Sequence, residues 1–169
     1  MCCRRFRKSS FESEESGAVN SIDDVMDELA IRDLSHRYAM ALDKNDVEVW
    51  RALFSQGIVF ESGTSAPRGL EDVVRIPEDQ LKRYKKTLHS VTTQQVFLDG
   101  DKATGEVYCV AHHIYEDFHQ NDRLPFDLSH NFLIRYDDDY VREDGRWVFA
   151  RRRIITEARF VHQIIPAAT

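Results

Sequence analysis

Three side chains in this sequence have types that can carry out proton chemistry together: Tyr38, Asp43 and His89. A histidine suits the role of base because its unperturbed pKa of about 6.5 lies near neutral pH. An aspartate on its other ring nitrogen fixes the tautomer and stabilises the imidazolium that forms. A buried tyrosine hydroxyl can donate to a carbonyl that becomes an enolate, or protonate a departing hydroxyl. Such a set fits elimination of water or halide next to an acidic C–H bond. Each residue also has a plainer explanation. Tyr38 continues an apolar stripe at helical spacing, where tyrosines are commonly packed. Asp43 stands where a helix would end, and a lone histidine at the start of a strand is usually structural.

Other chemistries find less support. His112 and His113 are adjacent, but alternation sends neighbours on a strand to opposite faces, so no shared metal is expected. Which of the two faces inward is left open. The run Arg151-Arg152-Arg153 reads as a partly solvated sheet edge, although Arg153 shares parity with Trp147 and Phe149. No Gly-rich phosphate loop, nucleophile elbow or Cys–His pair is visible, and no cofactor is expected.

The elements that must position these groups follow from the patterning. Ser21-Ile22-Asp23-Asp24 has the form of a helix N-cap with acidic first-turn residues. Apolar Ile22, Val25, Met26, Leu29, Leu34, Tyr38, Ala41 and Leu42 then recur at three- and four-residue steps, predicting a helix that ends at Asp43-Lys44-Asn45-Asp46. A second short helix is expected over 47–54, with Val49, Trp50, Leu53 and Phe54 as its apolar face. Ile58-Val59-Phe60-Glu61 reads as a strand and 63–69 as a loop. A helical stretch over 70–76 leads through Pro77 into a further helix over 78–88, whose Lys82, Arg83, Lys85 and Lys86 read as a solvated face.

From His89 the period changes to that of strands. Four are expected, over 89–98, 103–115, 129–141 and 146–161, with hairpin turns at Asp99-Gly100-Asp101-Lys102 and Arg142-Glu143-Asp144-Gly145. The second has small apolar residues at its odd positions, ending at His113, and such a face leaves room for a pocket wall. Helices first and an antiparallel meander afterwards make the class α+β.

At 169 residues the chain suits one domain with a real core, expected over 21–169. Its net charge of -6 argues against nucleic acid as a partner, since phosphate binding needs a concentrated basic surface. Cys2, Cys3 and Cys109 show no disulfide or zinc spacing, which fits a reducing, cytoplasmic setting. Residues 1–20 are basic and then Ser/Glu-rich, and read as a disordered leader. Adjacent Cys2 and Cys3 beside four basic residues also have the form of an acylation site, the one route to a membrane that the sequence offers.

Four features in order resemble the SnoaL-like branch of the nuclear-transport-factor-2-like superfamily. They are Ile31-Arg32-Asp33-Leu34 leading to Arg37-Tyr38-Ala39 and Leu42-Asp43; Trp50 with Leu53-Phe54; Leu88-His89-Ser90-Val91; and Asp144-Gly145-Arg146-Trp147-Val148-Phe149. The resemblance covers about residues 22–160 and lies in order and spacing rather than in any one motif. It implies a cone-shaped half-barrel, in which a curved, mostly antiparallel sheet wraps the N-terminal helices and encloses one pocket. It also implies a cofactor-independent lyase of the kind represented by scytalone dehydratase, bile-acid 7α-dehydratase and hexachlorocyclohexane dehydrochlorinase.

By the same resemblance Asp43 and His89 form the catalytic dyad with Tyr38 as electrophilic donor. His113, or its neighbour His112, and Ser129 and Asn131 become polar substrate contacts, and Arg153 a loose counterpart of a pocket arginine. The substrate implied is a small polyketide, steroid-like or aromatic metabolite, and the assembly a homodimer or homotrimer. An isomerase or cyclase would need the same base and donor. The same fold also serves as a non-catalytic binding or assembly subunit. Epoxide hydrolysis would require a further pocket carboxylate paired with arginine on the sheet.

Overall fold

The computed structural model describes residues 21–116 and 127–164. The leader and its two cysteines lie outside the described residues, as does most of the polar loop after the second expected strand. Helix α1 spans Ile22–Lys44 and α2 Val47–Arg51; strand β1 spans Phe54–Ser62; α3 spans Leu70–Val73 and α4 Ile76–Arg83. Strands β2 Lys86–Asp99, β3 Lys102–Glu116, β4 Asp127–Glu143 and β5 Arg146–Ile164 complete the chain. The five strands form one sheet in the order β1-β5-β4-β3-β2. Only β1 lies parallel to its neighbour; the β2 to β5 meander is antiparallel. This is the expected α+β class, with a mostly antiparallel sheet that does not close on itself, consistent with the cone-shaped half-barrel.

Local chemistry explains the boundaries. Ser21 and Asp24 form a reciprocal capping box that opens α1, and Asn45 closes it in the left-handed region at φ 54°. Asp46 then accepts from the Val49 amide and caps α2. Asp144 and Gly145, at φ 48° and 74°, supply the paired left-handed residues of a tight β4–β5 hairpin.

Three expectations shift. The second helix ends at Arg51, because Phe54 enters β1 and pairs with Phe149. Helix α4 stops at Arg83 rather than continuing to 88, because Lys86, Thr87 and Leu88 pair with β3. Helix propensity is a weak preference that a full strand ladder outweighs. Finally, the first two turns of α1 are not a buried face: Ile22, Val25, Met26 and Leu29 are exposed, and burial begins at Ile31.

The core lies between the second half of α1, α2 and the inner face of the sheet. Trp50, Leu53, Phe60, Val107, Tyr136, Tyr140 and Phe149 are essentially inaccessible there. The Trp50 indole N–H donates to the Val73 carbonyl at 2.9 Å, which ties α2 to α3. Bulges between Val91 and Gln94, Leu133 and Ile134, and Asp139 and Tyr140 bend the long strands around this core.

Candidate active site

Asp43 sits at the end of α1, where the helix meets the start of β2. One carboxylate oxygen, Oδ1, lies 2.7 Å from His89 Nδ1 and accepts from the Thr87 hydroxyl at 2.8 Å; Oδ2 accepts the His89 backbone N–H at 2.7 Å. The carboxylate thus places the proton on Nδ1 and leaves Nε2 as the basic nitrogen. Burial raises the Asp43 carboxyl, but the His89 contacts and the Thr87 hydroxyl outweigh it and hold the group below its ordinary value. The His89 side chain is only 4% exposed.

His89 lines a cavity of about 360 Å3 together with Tyr38, Leu42, Phe60, Tyr136 and Ile154. Its size falls within the range of roughly 300–1,000 Å3 typical of small-molecule sites. Tyr38 packs its ring 4.6 Å from that of Trp50 and edge-on to Phe54, Tyr136 and Phe149. The core explanation for Tyr38 is therefore right as far as it goes, yet the residue also faces the cavity. Burial pushes its hydroxyl up to about 12, partly offset by the nearby Arg152 guanidinium, so it stays protonated and able to donate.

Beneath Tyr38 lies a buried ion pair. Arg152 donates through Nε to Asp138 Oδ1 at 2.8 Å and through Nη2 to Oδ2 at 2.7 Å, and both side chains are 0% exposed. Tyr140 donates to the same carboxylate at 3.0 Å. The guanidinium carbon lies about 4 Å from the ring centroids of Tyr38, Tyr136 and Phe149, a close cation–π cage. Arg152 Nη1 has no hydrogen-bond partner among the described residues.

The remaining residues singled out from the sequence fall elsewhere. His113 is the inward-facing histidine of its pair, but it packs beside the cavity. Its ring stacks on Tyr84 at 4.5 Å and meets His89 at 5.5 Å and Phe132 at 5.1 Å. Burial lowers it to about 4, with the other histidines adding to the effect, so it is neutral near pH 7. His112 points the other way.

Ser129 and Asn131 lie outside this cavity. Asn131 is opposite His112 and Ser129 opposite Ile114, so alternation puts both on the outer face. There Asn131 bonds to His112, Ser129 and His162, away from the cavity. Arg153 lies outside it too. In β5 Phe149 pairs with Tyr140 and Arg151 with Asp139, which leaves Ala150 as an extra residue. That bulge inverts the parity, turning Arg152 inward and leaving Arg153 exposed.

Sequence reasoning missed Arg152 and Asp138, although a signal was present. The acidic run Asp137-Asp138-Asp139 faces Arg153-Arg152-Arg151 residue for residue across β4 and β5. Complementary runs on consecutive strands invite a cross-strand ladder, in which alternation sends the middle pair to the opposite face from its two flanking pairs. Among the described residues no group of three or more His, Cys, Asp or Glu side chains is arranged to hold a metal ion.

The SnoaL-like domain family matches residues 23–153 of the chain, and this decides its kinship. The chain belongs to the SnoaL-like family. Solved structures agree on the fold of this SnoaL-like protein. A protein from Novosphingobium aromaticivorans, described provisionally as a scytalone dehydratase, superposes with TM-score 0.70 at 21% identity, covering 85% of this chain and 93% of its own. A type 2 hexachlorocyclohexane dehydrochlorinase gives TM-score 0.71 at 18% identity, with 87% and 96% covered. A Kribbella flavida protein gives 0.71 at 19% identity, with 80% and 94% covered. A comparison with curated proteins gives no match.

Proposed function

We propose that this SnoaL-like protein is a lyase that eliminates water from a small metabolite of polyketide, steroid-like or aromatic type without a cofactor. The observation that carries the reading is His89, held by Asp43 from behind, on the wall of a cavity it shares with a protonated Tyr38. His89 Nε2 removes a proton alpha or vinylogous to a carbonyl, and the C–H electron pair forms an enolate. Tyr38 donates to the enolate oxygen. The carbonyl re-forms as a C=C bond is made and the C–O bond breaks. The imidazolium returns its proton to the departing hydroxide, so water leaves and His89 is regenerated.

The neighbouring folds include enzymes named for such eliminations, which supports this reading. An isomerase would use the same base and return the proton to another carbon of the substrate. The first experiment is an NMR titration of the histidines in the wild type, Asp43→Asn and His89→Gln, with hydrophobic β-hydroxy ketones added. The expected result is that the His89 titration moves when Asp43 becomes Asn and when a ketone binds, and that mass analysis finds product lacking water. A His89 that ignores both Asp43 and ligands sinks the proposal. A product of unchanged mass assigns isomerisation instead.

A further inference from the structure

The same cavity carries a feature that proton abstraction does not use. Its rim holds two arginines, Arg68 from the segment after β1 and Arg83 from the end of α4. Neither has an ion-pair partner among the described residues within salt-bridge distance. On a chain of net charge -6, two guanidinium groups against the one carboxylate of this lining, Asp79, which Lys82 and to a lesser degree Arg83 hold in its charged form, leave the opening net positive.

Both are placed by structure. The Arg68 backbone bonds to Phe60 in both directions, N–H to carbonyl at 2.8 and 2.9 Å, and its guanidinium lies 5.0 Å from the Phe60 ring centroid. Arg83 shares a face of α4 with Ile76, Asp79 and Gln80, at the three- and four-residue spacings that align side chains over the cavity. Gln80 Oε1 is buried there without a hydrogen-bond partner. Ser62 and Ser65 add hydroxyls to the same wall. Asp79, the acidic residue of this lining, is occupied: its Oδ1 accepts from Lys82 Nζ at 3.0 Å.

We propose that the substrate is an amphiphile whose apolar body fills the cavity near Tyr38 and His89 and whose anionic oxygen group is held by Arg68 and Arg83. This deepens the lyase reading and rests on it for the identity of the reacting end. The floor, formed by Tyr38, Leu42, Tyr136 and Ile154, suits a hydrocarbon or ring body. Guanidinium groups suit planar carboxylate or a phosphate, through charge-assisted hydrogen bonds.

Calorimetric binding to the full chain would test this with 2-naphthoate, 2-naphthyl phosphate and neutral 2-naphthamide. The expected result is that at least one anion binds about tenfold or more tightly than the amide, the scale of a charge-assisted hydrogen bond. The preference should disappear in the Arg68→Gln/Arg83→Gln double variant, with amide affinity unchanged. Whichever anion gains more identifies carboxylate or phosphate as the group recognised. Equal affinities, absence of anion binding, or a preference that survives in the double variant would overturn the proposal. None of these outcomes bears on the dyad, whose test is the response of the His89 titration to Asp43→Asn.

Discussion

Asp43 holds a ring nitrogen, a backbone amide and a hydroxyl at once, so its removal can be read as chemistry rather than as packing alone. In Asp43→Asn the single amide oxygen can keep the place of Oδ2 and accept the His89 backbone N–H, but the NH2 group then faces Thr87 and Nδ1 and no longer accepts the Nδ1 proton. The expected outcome is a fall in kcat of roughly 10²–10⁴-fold, the range for losing effective general acid–base catalysis. Tyr38→Phe should keep its ring contacts and therefore its melting temperature, while kcat falls about 10²-fold through loss of one hydrogen-bond donor. Rate and melting measurements on the two variants check both. The Arg152–Asp138 pair makes a different prediction. Removing one partner leaves a buried charge, so Arg152→Met or Asp138→Leu alone should cost about 3–5 kcal/mol, whereas the double variant should be much less destabilised. Urea denaturation of the three variants completes the cycle, and additive losses would contradict it.

At the scale of elements, the sheet is held close by a glycine on β3. A Cβ on Gly105 would lie 2.8 Å from the Gln95 carbonyl oxygen and 3.1 Å from the Tyr140 ring. Gly105→Ala should therefore destabilise by about 1–3 kcal/mol, as overpacking does, and denaturant midpoints would show it. Tyr140 also bonds to Asp138, so the strain should reach the cage under Tyr38. The elements themselves were largely legible: caps at Ser21 and Asp46, the hairpin at Asp144-Gly145 and the period change near residue 89 all have local causes. What could not be read was the bulge at Ala150. A single extra residue reverses the face of everything after it, and no local signal in Phe149-Ala150-Arg151 announces it. For the same reason strand parity in the sequence favours Arg153 over Arg152. Ser129 and Asn131 were assigned by likeness alone, whereas alternation opposite His112 and Ile114 puts them on the outer face. In the sequence Arg83 is one of several solvated charges, because the packing of α4 over a cavity is a tertiary fact.

For the whole molecule, the buried histidine next to the dyad links stability to pH. His113 is 7% exposed, and neither ring nitrogen has a hydrogen-bond partner among the described residues. Its neighbours His89, His130 and His112 all oppose a charge on it, and Asp43 only partly compensates. The folded protein therefore holds it at about 4, against 6.5 when unfolded. Between those values the unfolded chain binds the proton and the folded one does not, so stability is complete above pH 6.5 and declines as the pH falls towards 4. A gap of that size corresponds to about 3 kcal/mol lost across the window. Below it a second decline follows from Asp43, whose folded value is depressed and whose contribution is lost as the carboxylate protonates. Urea unfolding at steps from pH 7.5 to about pH 2.5 should show the midpoint falling in the first window and again in the more acidic one. In His113→Phe, which keeps an aromatic ring against Tyr84 and Phe132 and removes the titrating group, that first arm should flatten while the more acidic decline remains. A His113→Phe profile that parallels the wild type would assign the first arm to other groups.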